Sequence, residues 1–333
     1  MLVTFSKSKL YLLILLLLVL LIPFMVGGSG YFTTLFVMTC IYIICSLSLN
    51  LLVGYGGQIS VGNAGFLAVG SYTVAILSNI FVLPIWLTLP LAGIFTGIVS
   101  IVIGIPAVRL SGPFLAVATL GFGISVPQIA LNWESLTNGY TGLTVTRPLL
   151  TSSDSSFFYV VVGITLLIIW MLRNILKGQL GRAFIAIRDS EVAAQANGIN
   201  VAFYKTMMFA ISAFFTGIAG GLYSYWIGYV SPDDFTIVSS LLILGMVVVG
   251  GAASIPGSII GAVLLTIIPH FTDSFIGVTN IVIGIAFVLI ILFRPKGLIS
   301  IYDSFIKRIK DNKKKTERGI KQDVEFSRNN GSI

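Results

Sequence analysis

The chain has 333 residues, of which 56% are hydrophobic and only 10% charged, and its mean hydropathy is +1.01. Soluble domains carry about 25% charged residues, so this composition excludes a soluble enzyme, a disordered chain and a disulfide scaffold. Two cysteines and one histidine leave almost no material for a disulfide framework or a histidine-based metal or catalytic centre.

What remains is an all-α polytopic membrane protein. A bilayer core about 30 Å thick needs about 20 mostly apolar residues at 1.5 Å rise each. The candidate runs, in chain order, are 10–26, 32–53, 66–81, 85–106, 113–131, 158–176, 206–229, 235–250, 255–269 and 275–293. The runs at 66–81, 235–250 and 255–269 are short, and 113–131 contains Gly and Pro. These four are candidates for broken or re-entrant helices. The first run is longer than the usual signal-peptide core of about 7–15 residues, so it is read as a retained span. The expectation is about ten transmembrane or re-entrant helices with a possible internal repeat.

The basic residues test the topology. With the N-terminus in the cytoplasm, that side holds Lys7, Lys9, Arg109, Arg173, Lys177, Arg182, Arg188, Lys205 and every basic residue from Arg294 onward. Arg147 alone lies outside. This is the positive-inside bias, so the net charge of +8 is an orientation signal and not a nucleic-acid footprint. The outer face carries Glu134, Asp154, Asp233, Asp234 and Asp273 against Arg147. Three regions follow: 1–30, a first span and outer turn; 31–297, a core with a polar cytoplasmic segment at 178–200; and 298–333, a basic cytoplasmic tail.

Two Gly-rich stretches interrupt the apolar sequence. One is Gly54-Tyr55-Gly56-Gly57-Gln58-Ile59-Ser60-Val61-Gly62-Asn63-Ala64-Gly65, and the other is Gly250-Gly251-Ala252-Ala253-Ser254-Ile255-Pro256-Gly257. Paired interruptions of this kind point to a transport pathway, because unwound backbone at membrane depth must face protein or a water-filled cavity. Tight turns or small-residue helix packing use the same residues.

Between the spans at 158–176 and 206–229 lies a helix–turn–helix segment, too polar for lipid and too apolar for a free linker. Asp189 or Ser190 can cap its second helix, with Glu191 favourable in the first turn and Gly198 suited to the left-handed end. Ala186, Ala193, Ala194 and Ala196 leave a surface of low relief, fit for docking in a groove of another protein. Tyr223, Tyr225, Trp226 and Tyr229 form an expected aromatic membrane belt, and His270 an interfacial polar residue.

Glu191-Val192-Ala193-Ala194, followed by Gly198, is similar to the coupling loop of ABC importer permeases. The stretch from Leu47 through Gln58 and Asn63 to Phe66 resembles the signature of branched-chain amino-acid permeases of the LivM type. So do Gly181-Arg182-Ala183 running to Gly198-Ile199-Asn200, the block from Thr119 to Gly123 with Asn132-Trp133, and Met246 to Gly251. The likeness runs in order over 31–297. The chain departs from the family in having few charges around Phe184-Ile185-Ala186 and in its long basic tail.

The resemblance implies a non-catalytic permease subunit of an importer of leucine, isoleucine and valine. Its implied partners are a second permease subunit, two cytoplasmic ATPase subunits and an extracytoplasmic substrate-binding protein, in a prokaryotic inner membrane. No metal or cofactor is expected on this chain, and ATP is expected on the partner subunits. No G-x-x-x-x-G-K-[ST] phosphate loop occurs in the sequence. Away from their ends, the strong runs carry no Asp, Glu, Lys or Arg to bind a coupling ion. The ATPase-coupling candidates are Arg182, Arg188, Asp189, Glu191, Ala194 and Gly198. The substrate-pathway candidates are Asn50, Gln58, Ser60, Asn63 and Thr119, neutral groups that can pass a zwitterion without trapping it. A permease of the same superfamily for urea, amides or another small solute, or a standalone secondary transporter, stays open at this point.

Overall fold

The computed structural model describes residues 30–107, 110, 112–148, 153–272, 278–293 and 297–300. The run at 10–26, the basic residues Lys7, Lys9 and Arg109, and the tail from residue 301 lie outside the described residues, as does the side chain of His270.

The described residues are mostly helical. Helix α1 (Gly30–Asn50) continues into a π-helical turn, Leu51–Tyr55. Then come α2 (Asn63–Ile80), α3 (Ile85–Ala107), α4 (Pro113–Asn132), the single turn α5 (Glu134–Thr137) and α6 (Asp154–Lys177). The polar segment forms α7 (Gln179–Asp189) and α8 (Glu191–Ala196). The bundle ends with α9 (Val201–Ile227), α10 (Ile237–Gly250), α11 (Ile255–Thr272) and α12 (Val278–Phe293). Among the described residues, seven helices are long and apolar enough to cross a membrane.

Each of the four doubtful runs is a single helix. The run at 66–81 gains its missing length from Asn63-Ala64-Gly65, which are helical. The run at 113–131 passes through Pro127 without a break and forms the 20 residues of α4.

The longest helix, α9, is the hub, packing on α1, α2 and α3. Its glycines set the spacing. A Cβ on Gly70 of α2 would collide with the backbone of Gly217, and one on Gly220 with the carbonyl of Leu67. Backbones this close are what small residues at membrane helix interfaces permit. Ser71 Oγ uses the proximity to donate to the carbonyl oxygen of Gly220 at 2.7 Å.

The same contacts give direction. Ser212 of α9 donates to the carbonyl of Ser48, and Met208 lies against Gly56, so α1 runs antiparallel to α9. Gly70 meets Gly217, and Val74 meets Gly221, so α2 runs parallel to it. The first Gly-rich stretch is therefore a reversal between two spans: it leaves one end of the bundle at Gly54, beside Arg188, and reaches inward to Asn63, which meets Thr216 in the middle of α9. Lys177, Arg182, Arg188 and Lys205 gather at that end, here termed the basic end.

At the opposite end the chain is tied by a two-residue antiparallel pair, β1 (Leu143–Thr144) with β2 (Tyr229–Val230). Arg147 caps α9 there, donating from Nε to the carbonyl of Tyr225 at 2.9 Å and from Nη2 to that of Trp226 at 2.7 Å. It also pairs with Asp154 at 2.6 Å and lies 4.4 Å from the Trp226 ring centre. Tyr225 and Trp226 are buried, and the Tyr225 hydroxyl shares a 2.8 Å hydrogen bond with Thr88. These two rings face inward rather than into a lipid-facing belt.

Candidate coupling and pathway site

The coupling candidates lie on a helical elbow. Helix α7 buries Gly181, Ala183, Phe184 and Ile187 against the bundle and leaves Arg182 and Arg188 exposed. Phe184 meets Tyr204 of α9 edge-on at 6.3 Å. Extended backbone at Ser190 ends α7, and its hydroxyl accepts from the Ala193 N–H at 3.2 Å, capping α8. Gly198 sits at φ +79° in open space. The left-handed backbone there is free for glycine and strained for other residues. Ala194 faces the bundle, while Glu191, Val192, Gln195 and Ala196 remain exposed.

Two charged residues fasten this elbow. Arg188 bonds Asp189 Oδ1 from Nε and Nη2 at 3.1 and 2.9 Å. Its Nη1 donates to the carbonyl oxygen of Gly54 at 3.2 Å. Glu191 pairs at 2.6 Å with the ammonium of Lys205, whose side chain is only 4% exposed. Arg182 reaches back from Nη1 to the Lys177 carbonyl at 3.4 Å.

The pathway candidates converge on the reversal that Arg188 touches. Asn50 is fully buried and ties the end of α1 to the second Gly-rich stretch. Its Nδ2 donates to the Ser254 carbonyl at 3.0 Å, and its Oδ1 accepts from the Ala253 N–H at 2.8 Å. Thr119 of α4 accepts from the Val61 N–H at 3.0 Å. Asn63 opens α2, with Oδ1 3.3 Å from the Thr216 hydroxyl, while the next N–H, of Ala64, donates to Ser240 at 2.9 Å. Ser60 is buried at 1% exposure.

Gln58 differs from the rest. Its side chain is buried, yet neither amide atom has a hydrogen-bond partner, and Asn63 Nδ2 is likewise unpaired. A buried amide left unpaired costs about 1–3 kcal/mol.

Several contributors to this site carried no signal in the sequence. Ser254, Ser240 and Thr216 are ordinary small polar residues until the fold brings them to Asn50, Ala64 and Asn63. Lys205 had a clue: it is a lone charge at the start of a long apolar helix, and such a residue needs a partner. Among the described residues, no group of three His, Cys, Asp or Glu side chains could hold a metal ion.

Residues 31–293 match the family described as "Branched-chain amino acid transport system / permease component". The chain belongs to this family. Among curated relatives, it is 35% identical over 322 residues to the high-affinity branched-chain amino acid permease protein LivM of Salmonella typhimurium, covering 88% of this chain and 75% of that one. The Escherichia coli LivM is 34% identical over the same shares. A probable LivM of Methanocaldococcus jannaschii is 24% identical, covering 78% of this chain and 90% of the relative. No solved structure matches. The permease is thus a multi-pass membrane protein of a transport system, and its coupling and pathway candidates all fall inside the matched region.

Proposed function

We infer that this chain is the membrane subunit of an ATP-driven importer that passes leucine, isoleucine and valine into a prokaryotic cytoplasm. The single observation that carries the substrate is the likeness to LivM permeases over 88% of the chain. In this reading the chain hydrolyses nothing and binds no cofactor. ATP is used by two ATPase subunits that dock on the exposed face of α8. A second permease subunit completes the channel, and a binding protein delivers the amino acid at the Arg147 end.

The basic end faces the cytoplasm, with both termini there, in this reading, which the distribution of Lys and Arg supports. The elbow supports coupling because it touches the reversal directly. A push on α8 reaches Lys205 through Glu191, and a push on α7 reaches Gly54 through Arg188. The unpaired amides of Gln58 and Asn63 belong to the same reversal.

The test is reconstitution of the permease in proteoliposomes with its partner subunits and the loaded binding protein. The expected result is ATP-dependent leucine uptake, competed by isoleucine and valine and not by urea. Uptake without ATPase subunits, or competition by urea, would contradict it.

A further inference from the structure

Away from the basic end, α4 and the turn that leads into α10 line a half-open cavity of about 170 Å³. It has room for several waters, or for one small solute. Its walls have two characters. Ile124, Leu131, Phe235 and Ile237 are apolar, whereas Gln128 and Asp233 are polar. An apolar niche with a few convergent polar groups is the usual form of a small-molecule site.

The polar groups are free to act. Asp233 and Asp234 stand side by side, but only one is used by the fold. Asp234 Oδ2 accepts from the Ser231 N–H at 3.0 Å and completes a capping box. Asp233 makes no ion pair among the described residues and is exposed. Gln128 is an exposed amide on α4. Pro127 also lines the cavity, and having no N–H it leaves the carbonyl of Gly123, another wall residue, without its helical donor. Phe235 is held as a firm floor by the rings of Tyr72 and Tyr223, at 6.4 and 5.9 Å.

The outer surface of α4 supports a polar occupant. On α3 the exposed face is unbroken apolar: Ile94, Phe95, Ile98, Val102 and Ile105. On α4 it includes Gly121, Ser125, Gln128 and Asn132. Only 22% of the α4 span is buried within this chain, against 39–72% for the other spans.

We propose that this cavity is an outer subsite for a zwitterionic α-amino acid with a branched apolar side chain. It rests on the import function above and names a stop on that route. The Asp233 carboxylate and the Gly123 carbonyl receive the ammonium group. The Gln128 amide donates to the substrate carboxylate. Ile124, Leu131, Phe235 and Ile237 take the side chain, and they reward apolar bulk without reading its branching.

The test uses the full complex in vesicles with Ile124→Cys, which leaves Gln128 and Asp233 in place, and a charged, membrane-impermeant methanethiosulfonate. Cys40 and Cys45 are kept, and their labelling on the parent chain is subtracted. Val102→Cys on α3 is the lipid-facing control. Labelling at position 124 is expected about 100-fold faster than at 102, because lipid excludes a charged reagent. Millimolar leucine is expected to slow it, glucose is not, and the protection is expected to vanish when Asp233→Asn is added. Labelling as slow as the control, labelling unaffected by leucine, or protection that survives Asp233→Asn would each overturn the proposal. ATP-driven leucine uptake by the parent complex is measured on the same vesicles, so failure of the import function appears there and not in the labelling.

Discussion

The guanidinium of Arg188 donates to the carbonyl oxygen of Gly54 at 3.2 Å, across 134 residues of sequence. That bond joins the exposed elbow to the reversal between α1 and α2. Nearby, Gly57 has φ +66°, and a Cβ there would lie 2.8 Å from Arg188 Cγ. Gly57→Ala is therefore strained twice, by backbone and by contact. It is expected to cost about 1–2 kcal/mol and to lower uptake by displacing Arg188. A parent-like melting temperature with full uptake would contradict this.

Asn50 is expected to act as a clamp as well as a pathway neighbour. Asn50→Ala removes two hydrogen bonds and leaves the Ala253 N–H and the Ser254 carbonyl without that partner. The expected loss is about 2–4 kcal/mol, read as a lower melting temperature in detergent. Asn50→Asp should not rescue it, because a carboxylate oxygen would then face the Ser254 carbonyl.

Glu191→Gln removes the charge paired with Lys205. A buried ammonium left alone costs about 3–5 kcal/mol when both partners are enclosed. Glu191 is half exposed, so water screens the pair and about 1–2 kcal/mol is expected. Glu191→Gln with Lys205→Met should recover most of that stability while leaving uptake impaired. Recovery of both would reduce the pair to a structural role.

The glycines of the α2–α9 contact and those facing open space should behave oppositely. Gly70→Ala places a Cβ into the backbone of Gly217 and is expected to cost about 3 kcal/mol or more. Gly163→Ala meets nothing within 4 Å in mid-helix and is expected to stabilise by about 0.5–1 kcal/mol. Thermal unfolding of the two variants side by side checks the difference.

The helical class was legible in the apolar runs, because length and hydropathy alone make a span. The limits of the short runs were not, since Asn63-Ala64-Gly65 reads as turn chemistry yet opens α2. The two Gly-rich stretches were visible, but glycine serves a broken helix and a tight reversal equally. Only the partners of Asn50 and Arg188 show that the two stretches meet at one end. The cluster from Tyr223 to Tyr229 matched a lipid-facing belt by composition. Thr88 and Arg147, more than 75 residues away, turn Tyr225 and Trp226 inward.

The most direct measurement of the central claim is the number of leucine molecules imported per ATP hydrolysed, in the same proteoliposomes, for the parent complex and for Arg188→Gln. The substitution keeps a polar side chain but loses the charge and the fork that reaches Gly54 and Asp189 together. The expected result is normal docking of the ATPase subunits and continued hydrolysis, with the ratio falling about 10-fold or more. An unchanged ratio would show that the Arg188–Gly54 bond carries none of the coupling.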